Sequence, residues 1–344
     1  MRVGICGYPG SGKSTVFSAL APGGASAKSG VTYGNIKVPD ARVDRLAAVF
    51  SPKKKVYAEI TFVDVGGGGG ATGAFPPDVL QHMRNADVLV HVVRVFDNPM
   101  IAESTDPSRD EQRFAEELVL IDHSVLERRL ERFRKEVKKG REVDVTKRCV
   151  AHLEEGLPLR TLDLSDDDLG TLTGIQLLSA VPLITLYNLS EDAWEDDSNA
   201  ALKETGAKED GSTGMAMCAS IEAEIAELDE EEQAEMLEGM GLGEPARNGF
   251  VRAAYGCLDL ISMLTAGPDE CRAWPIRRGV NAKKAAGRIH SDIERGFIRV
   301  EVYRVDELEA AGSEAELKKQ GKLRVEGRDY TVVDGDVCNF RFNV

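Results

Sequence analysis

The hydrophobic pattern opens with a short apolar run at residues 3–6, which predicts a core strand. A glycine-rich stretch follows, and then Val16, Phe17 and Leu20 recur at helical spacing. Residues 21–33 are rich in Gly, Ala and Ser and predict a loop, with a strand entry at 34–38. Val43, Leu46 and Val49 share one face of a helix over 42–50. Residues 56–63 predict a strand ending at Asp64, and the glycine run behind it is too permissive for regular structure. A helix begins at Val79, and 88–95 is a buried strand. A long polar helix over 111–139 carries an apolar stripe of Phe114, Leu118, Ile121, Val125 and Leu126. Helical pattern continues to about Thr171, as an insertion would. Further buried strands are expected at 182–188 and 215–219, and solvated acidic helix faces at 191–197 and 222–238. From about Thr265, strands at 272–276, 297–303, 330–333 and 337–344 surround one helix at 282–293, a pattern that fits a small β-grasp domain.

Composition narrows the class. The 344 residues suit two or three domains, and 42% hydrophobic with 29% charged is ordinary for a soluble globular protein. No run of 18 apolar residues occurs, so no membrane span is expected. With a core strand beginning within three residues, no signal peptide is expected. The six cysteines are scattered without a C-x-x-C pair, as thiols of a reducing cytoplasm would be. A net charge of −15 argues against nucleic-acid binding by the whole surface. Two local basic regions stand out, 128–148 and the group Arg272, Arg277, Arg278, Lys283, Lys284 and Arg288. Each reads either as a solvated face or as a contact for a polyanion such as RNA.

Candidate chemistry gathers at the start. Gly7-Tyr8-Pro9-Gly10-Ser11-Gly12-Lys13-Ser14 matches G-x-x-x-x-G-K-S between a strand and a helix, the context that a phosphate-binding loop requires. Successive backbone N–H groups there form an anion nest, and the helix N-terminus adds its dipole. Gly10, Ser11, Gly12, Lys13, Ser14 and Thr15 are the expected phosphate-side contacts of ATP or GTP. Lys13 would meet the β/γ-phosphates, and Ser14 would ligate Mg²⁺. Asp64-Val65-Gly66-Gly67 follows a strand about 50 residues later, where a D-x-x-G element belongs. Asp64 would reach Mg²⁺ through water, and the Gly67 amide would sense the γ-phosphate, so Lys13, Asp64 and Gly67 form the expected catalytic set. Asn188-Leu189-Ser190-Glu191 follows a buried strand, where guanine-specific proteins carry N-K-x-D. Glu191 is one methylene longer than Asp and Leu189 replaces Lys, which predicts weak guanine selectivity. Ala219 and Ser220, after the next strand, sit where a base-contacting loop would lie.

These residues together resemble the YchF-type, Obg-like ATPases of the translation-factor GTPase class. The most specific matches are Thr265-Ala266-Gly267, Cys271-Arg272-Ala273-Trp274, Ala285-Ala286-Gly287-Arg288-Ile289-His290-Ser291-Asp292, Gly296-Phe297-Ile298-Arg299 and Asp334-Gly335-Asp336-Val337, similar to that family's TGS domain. Val38-Pro39-Asp40-Ala41-Arg42, His91-Val92-Val93-Arg94 and Leu162-Asp163-Leu164-Ser165 extend the likeness over nearly the whole chain. The resemblance implies an α/β P-loop NTPase G domain (1–110 and 171–264), a helical coiled-coil insertion (111–170) and a C-terminal β-grasp, TGS-like domain (265–344). It also implies ATP taken alongside or before GTP, with Leu189 meeting adenine through its backbone. Association with the ribosome or its RNA follows from the same likeness, and a cytoplasmic monomer with no membrane partner is expected.

Departures from the family pattern concern hydrolysis. Gly10 stands where the family carries an Asn that in related GTPases helps hold a monovalent cation. The first switch is short, leaving Thr32 as the switch threonine and third Mg²⁺ ligand. No Gln follows Gly67 to orient water, and Glu103 falls near the family's hydrolytic His. The reading is a slow Mg²⁺-dependent ATPase/GTPase switch at the ribosome. The alternative is a divergent nucleotide binder with little turnover, serving as a sensor or scaffold. A small-molecule kinase is disfavoured, because it leaves the TGS-like end unexplained.

Overall fold

The computed structural model describes residues 1–22, 26–28, 31–65, 75–204, 206–240 and 242–343. Its strands are β1 Arg2–Cys6, β2 Ser26–Lys28, β3 Val31–Val38, β4 Lys54–Val56, β5 Ala58–Asp64, β6 Val88–Val95, β7 Leu183–Leu189, β8 Gly206–Ala207, β9 Thr213–Met217, β10 Leu260–Thr265, β11 Glu270–Arg277, β12 Phe297–Arg304, β13 Arg324–Glu326 and β14 Asp336–Phe342. They form two sheets, each belonging to one of two compact units.

The first unit comprises Met1–Ile36 and Thr61–Cys257. Its sheet runs β2-β3-β5-β1-β6-β7-β9-β8. β1 lies parallel between β5 and β6, and β6, β7 and β9 continue in parallel. All seven residues of β7, and all of β6 except Val95, are buried. Parallel sheets covered on both faces demand such continuous burial, and the mainly apolar runs that supply it make these strands plain in the sequence. β3 extends three residues further back than the glycine-rich composition suggests. Val31, Thr32 and Tyr33 are strand formers, and β3 pairs with β2 through Ser26 and Tyr33.

The insertion is a helical arm. Helix Pro107–Lys135 starts on Pro at its first position, with the Asp106 carboxylate accepting from Arg109 N–H. Helix Arg141–Glu154 packs against it over a separate core that includes Leu126, Leu130, Phe133, Val145 and Val150. Two polar clusters fix the root. The buried Asp122 carboxylate accepts from Leu178 N–H at 2.9 Å, and from Ser179 N–H at 2.7 Å and its hydroxyl at 2.6 Å. Glu111 accepts from Tyr187 Oη at 2.7 Å and from the Lys208 ammonium.

The second unit comprises Lys37–Ile60 and Leu258–Val344. Its sheet runs β13-β12-β14-β10-β11-β4. β10 is antiparallel to β11 and parallel to β14, and β12 is antiparallel to β14. Helix Ala282–Ile289 covers Ile261, Met263, Val300, Val302 and Phe340 on one face. Side chains alternate along a strand, so the neighbouring Leu264 and Val337 face the other way. There they meet Val43 and Leu46 of helix Ala41–Phe50 and Leu308 of helix Val305–Ala311. Arg42 donates to Asp334 at 2.7 Å, and Arg45 pairs with Asp306 and Glu309.

Residues 37–60 therefore pack with the C-terminal unit, where the sequence reading set them in the nucleotide domain. That unit also begins at Leu258 rather than near Thr265. The strand expected over 56–63 divides at Tyr57, with β4 pairing β11 and β5 pairing β1. The helix expected over 282–293 breaks at extended His290, whose ring accepts from Asp292 N–H and caps a second helix, Ser291–Arg295. Residues 330–333 form no strand, since Tyr330 Oη and Val333 N–H both turn to the buried Asp336 carboxylate. Leu46 is fully buried. Leu46→Ala is expected to destabilise the chain by about 2–5 kcal/mol, read as a lowered denaturant midpoint.

Candidate nucleotide site

The loop between β1 and helix Lys13–Leu20 takes the conformation its glycines permit. Gly7, Gly10 and Gly12 have φ of 149°, 75° and 87°. A Cβ on Gly7 would stand 2.6 Å from the Val92 carbonyl oxygen, and one on Gly12 would overlap the Asn188 side-chain amide. Ser11 N–H and Lys13 Nζ both donate to the Tyr8 carbonyl, at 3.3 and 3.0 Å. Lys13 is buried, and that burial lowers the ammonium below its usual pKa while the nearby Asp64 carboxylate works in the opposite direction. Ser14 and Thr15 are exposed at the helix start, beside N–H groups that have no partner within the helix.

Asn188 ties the loop to the base-side segments. Its Nδ2 donates to the Ser11 carbonyl at 3.0 Å, and its Oδ1 accepts from Ala219 N–H at 3.2 Å. Asn188, Leu189 and Ala219 are buried, and Ser220 and Glu191 are exposed. The Leu189 side chain packs with Val93 and Tyr187 in the core. Glu191 begins a short helix that Ser190 caps by accepting from Ala193 N–H at 3.2 Å. Asp64 ends β5, and Thr32 is half-buried on β3 opposite Ala27. Gly67 lies outside the described residues. The structure thus joins Gly12, Ser11, Asn188 and Ala219 by direct contact and sets Lys13 within electrostatic reach of Asp64.

Several contributors escape a reading by motif. Ile101 packs on Gly10: a Cβ there would approach Ile101 Cγ1 to 2.8 Å, so a larger residue at this position would have to displace that side chain. Glu103 is held by Arg113 at 3.1 Å, and its carbonyl accepts from Arg94 at 2.9 Å. Glu117 accepts from Phe75 N–H at 2.6 Å, directly after the glycine-rich segment, and its burial raises its pKa. The signal was present in the sequence. Glu117 is a carboxylate three residues after Phe114, on the apolar stripe of a helix.

Behind the loop lies an aromatic shelf. His91 stacks on Phe114 with centroids 3.9 Å apart, and Tyr8 meets the His91 ring edge-on. Burial and the Lys13 charge push His91 down to about 3. Its Nε2 is buried without a hydrogen-bond partner among the described residues. The unfolded chain takes up this proton below about pH 6.5, while the native chain does so only near its depressed value. Stability is therefore lost as pH falls from about 6.5 towards 3, at up to about 1.4 kcal/mol per pH unit. His91→Phe keeps the stack and removes the proton. Its Tm is expected to exceed that of the parent by a margin that widens from pH 7 to pH 5, and a constant margin would contradict this account.

The comparisons agree with this geometry. A family model described as a 50S ribosome-binding GTPase matches residues 2–124, and one for the C-terminal region of YchF GTPases, described as of unknown function, matches 260–343. The chain is 37% identical over 361 residues to a "Ribosome-binding ATPase YchF" of Escherichia coli O157:H7, covering 100% of this chain and 99% of the relative. It is 35% identical over 365 residues to the protein of that name from Bacillus subtilis, covering both chains fully. An "Obg-like ATPase 1" of rice (Oryza sativa subsp. japonica) is 32% identical over 369 residues, with 100% and 92% covered. Among solved structures, the Schizosaccharomyces pombe YchF GTPase superposes with a TM-score of 0.85 at 28% identity, over 99% of this chain and 97% of that one. Among the described residues no helix is long and apolar enough to cross a membrane. A phosphate loop closed on Tyr8, an asparagine bridging it to the base-side turn, a β-grasp sheet and full-length likeness converge, and the chain belongs to the YchF family of P-loop NTPases.

Proposed function

We propose that this chain is a slow, Mg²⁺-dependent purine-nucleotide hydrolase that acts as a switch on the ribosome in the cytoplasm. The observation that carries the reading is the Ser11–Asn188–Ala219 bridge, which holds a phosphate cradle and a base-side turn in one frame. Full-length relatives named ribosome-binding ATPases supply the partner. Lys13 neutralises charge on the β/γ-phosphates by exchanging the Tyr8 carbonyl for phosphate oxygens. Ser14, Thr32 and Asp64 offer hydroxyl and carboxylate oxygens, the donors that Mg²⁺ prefers, and would hold it. When bound, the metal supplies positive charge to the β/γ-phosphate oxygens. Gly67 couples the γ-phosphate to the glycine-rich segment.

The base-side turn supports weak discrimination between ATP and GTP. The Leu189 side chain is committed to the core, so only its backbone is free for a base, and Glu191 is exposed on a capped helix. Competitive titration is expected to place the two affinities within about tenfold, or 1.4 kcal/mol. GTP binding tighter than that would contradict the role given to Glu191. A second reading, nucleotide binding with little turnover, has its own observation: the residue near the family's hydrolytic His is Glu103, an exposed carboxylate ion-paired with Arg113.

A further inference from the structure

We infer that the tip of the helical arm, residues 134–139, is the surface by which this chain grips ribosomal RNA. The inference rests on the ribosome association proposed above and adds the contact surface. The first observation is backbone geometry. Helix Pro107–Lys135 ends in a turn where Val137 has φ 52°. Val137 N–H bonds the Arg134 carbonyl at 3.2 Å, and Lys138 N–H bonds that of Phe133 at 2.9 Å. Helices usually place glycine at this left-handed position. A β-branched residue there is an outlier. Val137 is also 76% exposed, so no core packing explains its presence. Strain at a position with no packing role points to a contact outside the chain.

The second observation is charge. Residues 128–139 hold seven Lys and Arg against two Glu, on a chain of net −15. Arg128 donates back to the Ser124 carbonyl of its own helix, and the fold divides the other six cations into two sets. Arg129 bonds Glu142 and the Thr171 carbonyl, and Arg129, Arg132 and Lys138 lie over the Phe133 ring. Arg134, Lys135 and Lys139 are exposed and form no ion pair among the described residues. Three unneutralised cations thus surround an exposed valine at the end of an arm that has its own core. A phosphodiester backbone matches this repeated charge, and the acidic remainder of the chain opposes contact elsewhere. A single valine offers too little apolar area to anchor a protein partner.

Sedimentation of the full chain with purified ribosomes at low and moderate salt tests the inference. The wild-type chain is expected to co-sediment and to weaken with salt. R134E/K135E/K139E is expected to bind at least tenfold more weakly with a flatter salt dependence, while its ribosome-free nucleotide hydrolysis is unchanged. V137G relieves the backbone, so its Tm is expected to rise while ribosome binding falls several-fold. The same ranking is expected on protein-stripped ribosomal RNA. Equal binding by the charge-reversed chain would overturn the tip as the contact, and equal binding by V137G would overturn the role of the valine. Binding to whole ribosomes but not to stripped RNA would assign the tip to a ribosomal protein and overturn the RNA contact. A wild-type chain that does not co-sediment would overturn the ribosome reading itself, and this inference with it.

Discussion

Lys13→Ala is expected to slow release of the γ-phosphate from bound ATP by about 10²–10³-fold, the range seen when one preorganised electrostatic contact is removed. The ammonium is buried, its pKa is lowered, and its Nζ is bonded to the Tyr8 carbonyl at 3.0 Å. A buried cation bonded to one neutral carbonyl, with the Asp64 carboxylate nearby, is only partly compensated until a phosphate arrives. Removing it should therefore leave the Tm of the nucleotide-free chain unchanged or slightly raised. The stabilisation that ATP gives the wild-type chain should shrink, because that shift reports binding to the native state. Differential scanning calorimetry with and without ATP, alongside phosphate release, separates these effects. A variant that hydrolyses ATP at the parental rate would remove Lys13 from the chemistry.

Gly12→Ala is expected to abolish nucleotide binding at micromolar concentrations. Two costs coincide there. Gly12 lies at φ 87°, where an L-residue loses roughly 1–2 kcal/mol. Its Cβ would also overlap the Asn188 side-chain amide, the group that donates to the Ser11 carbonyl. Displacing Asn188 leaves Ser11 O and Ala219 N–H without their partner, at about 1–3 kcal/mol for each buried group. Both costs fall on the loop conformation that binds phosphate, so the population of that conformation falls by more than two decades and the apparent affinity falls with it. The two residues touch, so their effects should not add. Asn188→Ala in the Gly12→Ala background should cost less than Asn188→Ala alone, as titration with a fluorescent ATP analogue would show. Strict additivity would break the proposed contact.

The local grammar of the nucleotide unit was legible. The phosphate loop, the β6 run and the Asn188 tetrad are short-range patterns whose physics is set by their own residues. What each element packs against was not. Val43, Leu46 and Val49 give a helix its period, but nothing in that period names the β-grasp sheet as the surface they cover. Residues 37–60 leave the first unit after β3 and return through β5, a non-local route that hydrophobic pattern cannot reveal. The same limit hid Ile101 against Gly10, since a side chain filling the space above a glycine leaves no trace in periodicity. Residues 330–333 illustrate the opposite error. Tyr, Thr and two Val read as a strand, yet the buried Asp336 carboxylate draws Tyr330 Oη and the Val333 amide into a turn. Spacing alone assigns Asp64 to the site of the phosphate loop, and in the fold Asp64 ends β5 close enough to act electrostatically on Lys13.

Single-turnover hydrolysis decides whether this cradle cleaves what it holds. With the chain in excess over ATP and Mg²⁺ present, phosphate is expected to appear in one slow exponential phase, well above the Lys13→Ala background. Tight ATP binding with no release above that background would contradict a hydrolytic switch and leave a nucleotide sensor in its place.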